Sequence, residues 1–194
     1  MVYLIPYDRR AAVEYAHRWA FGRNPAFYDF SNLGGDCTNF ASQCLYAGTG
    51  VMNFTPELGW YYIDANNRSP SWTGVPFFWD FMTRQEVSSG PFGLGVPLTF
   101  LRPGDFVQIR FETSGDVFAH TPVVVSVGNP PTLDNVLVAA HSKDADNRPL
   151  STYENVVEMR FLHILGAAIV TGELTREDAV LYERPAESRE EAGV

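Results

Sequence analysis

A cysteine at the start of a predicted helix is the residue best placed for chemistry in this chain. Gly34 and Gly35 allow a sharp backbone bend before Asp36, a good helix N-cap, and Cys37 then occupies the first helical position. The free N–H groups and the dipole of a helix N-terminus favour the nucleophilic thiolate and a developing oxyanion. The alternative is that Cys37 is only a small buried hydrophobic residue. The stretch therefore identifies Cys37 as a candidate nucleophile.

Two of the four histidines are candidates for the base that a cysteine nucleophile needs. His120 and His141 lie on adjacent predicted strands, and a hairpin that turns at residues 130–131 makes them face each other. Facing residues have Cβ atoms about 4.5–5.5 Å apart, so one imidazole could orient the other. The spacing favours a Cys37–His120–His141 triad in which His120 is the base and His141 orients it. The alternative is that both histidines only border the sheet.

Other ionisable residues carry less specific signals. Asp144 and Asp146 lie in a loop after the third predicted strand, and either carboxylate is an alternative orienting partner for the base. His17 is interpreted as a surface residue of the first helix, and His163 and Cys44 are interpreted as structural.

Aromatic residues are concentrated between Trp60 and Phe81. Two interpretations compete for Trp60 and Trp72: they are core residues, or they are rigid walls of a groove that binds a peptide or a sugar. Tyr28 is a candidate second donor to the oxyanion. The residues expected around a substrate are Trp60, Trp72, Asp36 and Tyr28.

The elements that must position these residues follow an α+β pattern, with helices first and then an antiparallel sheet. The predicted helices span residues 8–21, 37–48 and 74–85, and the predicted strands span residues 106–111, 118–127, 136–141 and 159–169. Asp8 should cap the first helix, and Phe77 and Phe78 should lie on the inner face of the third. A tight turn is predicted before the first of these strands, at Arg102–Asp105, because this segment contains Pro, Gly and Asp.

Composition limits the classes of function. The 194 residues predict one domain over residues 1–171, then an acidic tail over 172–194 with a short helix near 175–182 and disorder beyond it. The formal charge of −9 argues against nucleic acid and anionic membranes as partners. The two cysteines would lie about 10 Å apart along one helix, so no disulfide joins them, and no zinc-ligand spacing occurs. The sequence as given has no signal peptide or transmembrane run, which predicts a cytoplasmic protein, and it carries no signal of an oligomeric state.

Five ordered segments resemble one family. Residues 34–45 resemble the nucleophile segment of the putative-amidase branch of the NlpC/P60 superfamily, which are papain-like cysteine hydrolases. The other four segments are Leu58–Tyr62, Ser69–Val75, Pro103–Asp105 and Ala139–Ser142, and the resemblance extends from about Tyr7 to His163. The family commonly has a small hydroxyl residue and then aliphatic residues after its catalytic histidine; here Thr121 is followed by Pro122, which should alter strand pairing.

The resemblance implies a papain-like fold in which N-terminal helices pack on a C-terminal antiparallel sheet. It also implies that Cys37 attacks an amide, that His120 transfers the proton, and that His141 orients His120. The implied substrate is a bacterial cell-wall peptide, such as a muropeptide, and the chemistry needs no cofactor and no metal. An acyltransferase of the same fold is one alternative, and a catalytically silent module that binds peptide or glycan is another.

Overall fold

The helices and strands follow the α+β pattern that the sequence predicts. The computed structural model describes the backbone of residues 1–182 and the side chains of residues 1–180. In that range the helices are α1 (Arg9–Trp19), α2 (Cys37–Thr49), α3 (Pro70–Thr73), α4 (Val75–Met82) and α5 (Arg176–Tyr182). The strands are β1 (Val2–Ile5), β2 (Gly90–Val96), β3 (Phe106–Phe111), β4 (Val123–Val127), β5 (Val136–Ala140), β6 (Ala145–Pro149) and β7 (Val156–Val170). The α+β class is therefore confirmed, and β1, β2 and β6 are additional to the predicted strands.

Helix α1 begins where its cap was predicted. The Asp8 carboxylate accepts the backbone N–H of Ala11 at 3.0 Å, and Ala12 and Ala16 are fully buried. At the other end of the chain, α5 corresponds to the predicted short helix. The disorder predicted after it lies outside the described residues.

Helix α2 is buried on nearly all sides because it packs against α1, α3 and the sheet. It ends at Gly50, whose φ of 65° is the left-handed conformation that glycine adopts without strain. Its first residue, Cys37, is only 7% exposed. The candidate nucleophile therefore lies at the junction of the helices and the sheet.

Seven strands within the described range form one antiparallel sheet in the order β1-β7-β3-β4-β5-β6, and β2 also pairs with β7. The long strand β7 is central, since it pairs with β1, β2 and β3 along different parts of its length. The Arg102–Asp105 turn forms as predicted, with the Asp105 N–H donating to the Arg102 carbonyl at 3.0 Å. This turn begins β3, whose neighbour β4 follows the candidate base.

The predicted register between the two histidine strands is wrong by one residue at the end nearer the histidines and by two residues next to the turn. Val123 lies opposite Ala139 at the start of the β4–β5 pair, and β4 begins only after Pro122. His120 precedes the strand and forms an isolated bridge with Ile109. Proline has no N–H to give to a ladder, and a shift of one residue turns a side chain to the other face of a sheet. His120 and His141 therefore do not face each other.

Two predictions about aromatic residues are also wrong. Trp60 and Trp72 are fully buried, with ring centroids 4.8 Å apart, so they are core residues and do not line a groove. Their indole N–H groups donate inside the core, to Ser42 and Asn39 respectively. Of the two phenylalanines expected on the inner face of the third helix, Phe78 is fully buried as predicted, but Phe77 is 56% exposed.

Candidate active site

The first turn of α2 contacts the chain segment that follows His120. The hydroxyl oxygens of Thr38 and Thr121 are 3.2 Å apart, and both side chains are fully buried. Thr121 is the residue directly after His120, so this contact joins the start of the Cys37 helix to the segment that carries His120. The start of the Cys37 helix therefore lies against the segment that follows His120.

Burial determines the state of the Cys37 thiol. Desolvation raises the pKa of Cys37, and it outweighs the hydrogen bonds from the backbone of Thr121 and from Thr38 that lower this pKa. The charge of Asp36 raises the same pKa further. The expectation that the helix N-terminus would favour a free thiolate is therefore wrong for this site. Cys37 is a neutral thiol at pH 7 and needs a base to become a nucleophile.

His120 is in the unprotonated form that a general base must have. Burial, followed by the positive charges of Arg148 and Lys143, lowers the pKa of His120 from 6.5 to about 4. The imidazole is neutral at pH 7 and can accept a proton. Its Nε2 atom lies 3.3 Å from the hydroxyl oxygen of Tyr153, which leaves Nδ1 as the other nitrogen that can bind a proton.

Tyr153 is a site residue that the sequence analysis missed. Burial raises the pKa of Tyr153 to about 12, and a thiolate at Cys37 would raise it further, so the two side chains are electrostatic neighbours. Because Tyr153 lies outside the strands, just before β7, its place beside His120 has no signal in sequence spacing. It contacts His120 as the predicted orienting partner was expected to do.

Asp36 has the N-cap position of α2 but not the capping role predicted for it. Its carboxylate makes no cap hydrogen bond to the first turn of the helix. One oxygen instead accepts the Phe30 N–H at 2.9 Å and the Asn39 side-chain amide at 2.8 Å. The other oxygen lies 2.6 Å from Nδ1 of His141. Asp36 is fully buried, so the expectation that it borders a substrate is also wrong.

His141 is held away from His120. Its Nδ1 is bonded to Asp36, its Nε2 lies 2.8 Å from the Trp19 carbonyl oxygen, and its ring stacks on Phe40 at a centroid distance of 3.9 Å. Both nitrogens are therefore used elsewhere, and the prediction that His141 hydrogen-bonds to His120 is wrong. The off-by-one strand register is the physical cause.

The hydrogen bonds of His141 also constrain its protons. An ionised carboxylate and a backbone carbonyl can only accept, so each ring nitrogen must carry a proton unless Asp36 carries one. Asp36 and His141 are therefore either a buried ion pair or a hydrogen-bonded pair of a neutral carboxyl and a neutral imidazole. Asp36 directly precedes Cys37 in the sequence. The pair ties the chain before α2 to α1 and β5 and holds the position of the nucleophile.

The two alternative carboxylates are engaged elsewhere as well. Asp144 forms a two-oxygen ion pair with Arg23 at 3.0 Å, and Asp146 lies 2.9 Å from Nδ1 of His17. Neither is bonded to His120. Tyr28, the candidate oxyanion donor, is 48% exposed and its ring packs edge-on against Phe30 at 5.0 Å, a contact that does not connect it with Cys37.

A cleft of about 550 Å³ opens beside His120. His120 and Tyr153 line it, together with Ser142, Lys143 and Arg148. Cys37 is at the neighbouring helix end and is not part of the lining. A substrate that enters this cleft reaches His120 directly.

The described part of the chain contains neither a cluster of metal-ligating side chains nor a membrane-spanning helix. Over residues 1–182, no group of three or more His, Cys, Asp or Glu side chains is arranged to hold a metal ion. No helix in the same range has the length and apolar character needed to cross a bilayer.

Comparison with known proteins gives two matches. Residues 6–164 match the family model described as Putative amidase domain. The chain is also 31% identical over 166 residues to the Uncharacterized protein YhbB of Bacillus subtilis (strain 168), an alignment that covers 82% of this chain and 50% of the relative. The chain therefore spans about half the length of that curated relative. No solved structure matches this chain.

Proposed function

This chain belongs to the Putative amidase domain family, and we propose that it is a cysteine-dependent amidase with Cys37 as nucleophile and His120 as base. The observation that carries the proposal is the contact between the first turn of α2 and the residue after His120, made by Thr38 and Thr121 at 3.2 Å. The contact joins the helix start that carries Cys37, a thiol that needs a base, to the segment that follows His120, whose imidazole is neutral at pH 7, and it supports the pairing that we propose.

The proposed reaction has two halves. Cys37 Sγ attacks the amide carbonyl while the thiol proton passes to His120. The carbonyl group becomes a tetrahedral oxyanion. His120 then gives that proton to the leaving amine, the C–N bond breaks, and a thioester remains on Cys37. In the second half His120 takes a proton from water as the water oxygen attacks the thioester carbonyl. The C–S bond then breaks, the acid is released, and His120 returns the proton to the Cys37 thiolate.

The supporting residues have different roles from those predicted by sequence. Tyr153 is proposed as the positioning residue for His120, because its hydroxyl contacts Nε2 and leaves Nδ1 for the thiol proton. His141 and Asp36 are proposed to position Cys37, since they fix the chain immediately before it. We assign neither of these two a step in proton transfer.

A papain-like fold of the NlpC/P60 kind and a cell-wall peptide substrate also belong to the proposal. They are supported by the order of the five resembling segments and by the helix-then-sheet arrangement. Acyl transfer to an amine or alcohol is the second candidate, because the same thioester can be attacked by an acceptor other than water.

The test is a pair of cysteine variants of the purified protein, assayed against a muropeptide mixture by mass spectrometry. Cys37→Ala should abolish hydrolysis and leave the melting temperature near that of the wild type. Cys44→Ala is the matched control, because Cys44 lies on the same helix but is buried in the hydrophobic core. This variant should hydrolyse the substrate at the wild-type rate.

Three outcomes would change the assignment. Activity lost only in Cys44→Ala would overturn Cys37 as the nucleophile. Products that carry an added amine acceptor would favour the acyltransferase. Binding of peptide without turnover in the wild type, and without alkylation of Cys37, would favour a silent module.

A further inference from the structure

The only lysine in the 194-residue sequence lies in the cleft beside the candidate base. Lys143 is exposed and lines the same cleft as His120 and Tyr153. The other 13 basic residues are arginines, and one of these, Arg148, lines the cleft too. Two cations therefore flank the candidate base in a chain whose formal charge is −9.

Arg148 is held in a fixed position. Its Nε donates to the Thr152 hydroxyl at 2.9 Å and its Nη2 donates to the Thr152 carbonyl at 2.8 Å. Its guanidinium carbon lies 3.8 Å from the centre of the Tyr153 ring. Because Tyr153 in turn contacts His120, the guanidinium is fixed one side chain away from the base. Such an arrangement loses little side-chain entropy when an anion binds.

The acids that could neutralise these cations are paired elsewhere. Asp144 is bonded to Arg23, and Asp146 is bonded to His17. Among the described residues, neither Lys143 nor Arg148 forms an ion pair within 4 Å. Glu154 is the one acid on the described lining of the cleft, and it is exposed. The cleft wall therefore keeps an excess positive charge.

We propose that Lys143 and Arg148 form an anion subsite that binds a carboxylate of the substrate next to the scissile amide. The preferred substrate is then a peptide or amide that has a free carboxylate beside the bond to be cut. This inference rests on the proposed function for the position of the scissile bond. It adds the chemical class of the group that the cleft recognises.

Binding of a carboxylate would also assist the chemistry. Arg148 and Lys143 both lower the pKa of His120 in the free protein. A carboxylate between them offsets their charge, so His120 becomes a stronger base when an acidic substrate is in place. An amide without the carboxylate lacks this gain.

The first experiment compares two alkylating reagents that differ in charge. Iodoacetate and iodoacetamide are reacted with Cys37 at pH 7 in the wild type, in Lys143→Gln/Arg148→Gln, and in Arg18→Gln/Arg102→Gln. The last variant removes two exposed positive charges outside the described lining of the cleft, on α1 and before β3. The rate ratio of iodoacetate to iodoacetamide should fall about fivefold in the cleft variant and stay unchanged in the control. An equal ratio in all three proteins overturns the subsite.

The second experiment does not depend on the cysteine. Reductive methylation with ¹³C-formaldehyde keeps the charge of Lys143 and labels one side chain besides the N-terminal amine. The dimethyl-lysine NMR signal should shift and saturate with succinate but not with succinamide at equal ionic strength, and the shift should vanish in Arg148→Gln. Equal responses to the two compounds would overturn the proposal. If Cys37 is alkylated by neither reagent while succinate still binds, the proposed function fails and the anion subsite stands.

Discussion

The buried pair of Asp36 and His141 gives the sharpest test of how this site is held together. The variant is His141→Phe, which keeps a ring of similar volume stacked on Phe40 and removes both N–H donors. It leaves the Asp36 carboxylate and the Trp19 carbonyl without that donor. Because the ring is retained, the loss of stability reports the lost polar contacts and not a cavity.

The size of the effect follows from what remains around Asp36. Removing one member of a buried ion pair costs roughly 3–5 kcal/mol. The Phe30 N–H and the Asn39 amide still donate to Asp36, and Arg23 Nε lies 3.5 Å from its second oxygen. These groups compensate part of the lost charge, so we expect a loss of about 3 kcal/mol. For a protein of this size this lowers the melting temperature by roughly 6–12 °C.

A second histidine–aspartate pair supplies the matched control. His163 Nδ1 lies 2.7 Å from Asp105, but Asp105 also accepts from Arg9 at 2.7 Å. His163→Phe therefore leaves a carboxylate that is still hydrogen-bonded to a cation at 2.7 Å, whereas Asp36 keeps only the more distant Arg23 at 3.5 Å. The cost of His163→Phe should be about 1 kcal/mol or less. In His141→Phe the Asp36 carboxylate loses its charged hydrogen-bond partner, whereas in His163→Phe the Asp105 carboxylate keeps one. The difference between the two variants therefore excludes the general effect of replacing a histidine by phenylalanine.

Urea unfolding followed by near-UV circular dichroism measures both variants. Adding Asp36→Asn to His141→Phe should recover about 1 kcal/mol or more, because it removes the unpaired charge. A free energy of unfolding for His141→Phe within about 0.5 kcal/mol of the wild type, with turnover reduced by about 10²-fold, would refute this reasoning. That result would restore His141 as the orienting partner of the base.

Two further predictions concern pH and metals. His120 has a pKa lowered from 6.5 to about 4, so the unfolded chain binds more protons in that window and stability is lost as the pH falls from about 6.5 to about 4. At pH 4 this effect lowers the free energy of unfolding by about 3 kcal/mol relative to pH 7. The urea midpoint of His120→Gln should therefore fall less than that of the wild type between pH 7 and pH 4. Equal falls in the two proteins would contradict the lowered pKa of His120. Dialysis against EDTA should leave amide hydrolysis unchanged, and loss of activity that zinc restores would replace the cysteine mechanism with a metal-dependent one.

The sequence by itself determined the local elements of this protein. The cap at Asp8, the start of α2 at Cys37 and the turn at Arg102–Asp105 were all predictable, because each depends on the conformational preferences of residues that adjoin in the chain. The same local signals gave the α+β class. The strand predicted from residue 118 is the exception, because β4 begins only at Val123 and leaves His120 outside it.

The pairing of side chains across the fold was decided only by tertiary structure. The β4–β5 hairpin pairs Val127 with Val136 next to its turn, and the irregularity between Val124 and Ser126 then changes the register by one residue. No local pattern gives the size of the resulting shift. The shift separates His141 from His120, and His141 is instead bonded to Asp36, 105 residues away in the sequence.

The same limit applies to the state of the nucleophile. A helix N-terminus lowers a thiol pKa where solvent reaches it, and the sequence shows that position clearly. The burial of Cys37 is a property of everything packed around α2, and it raises the pKa of the thiol instead. Desolvation acts through the surrounding volume and not through neighbours in the chain, which is why the fold, and not the motif, sets the chemistry that Cys37 can perform.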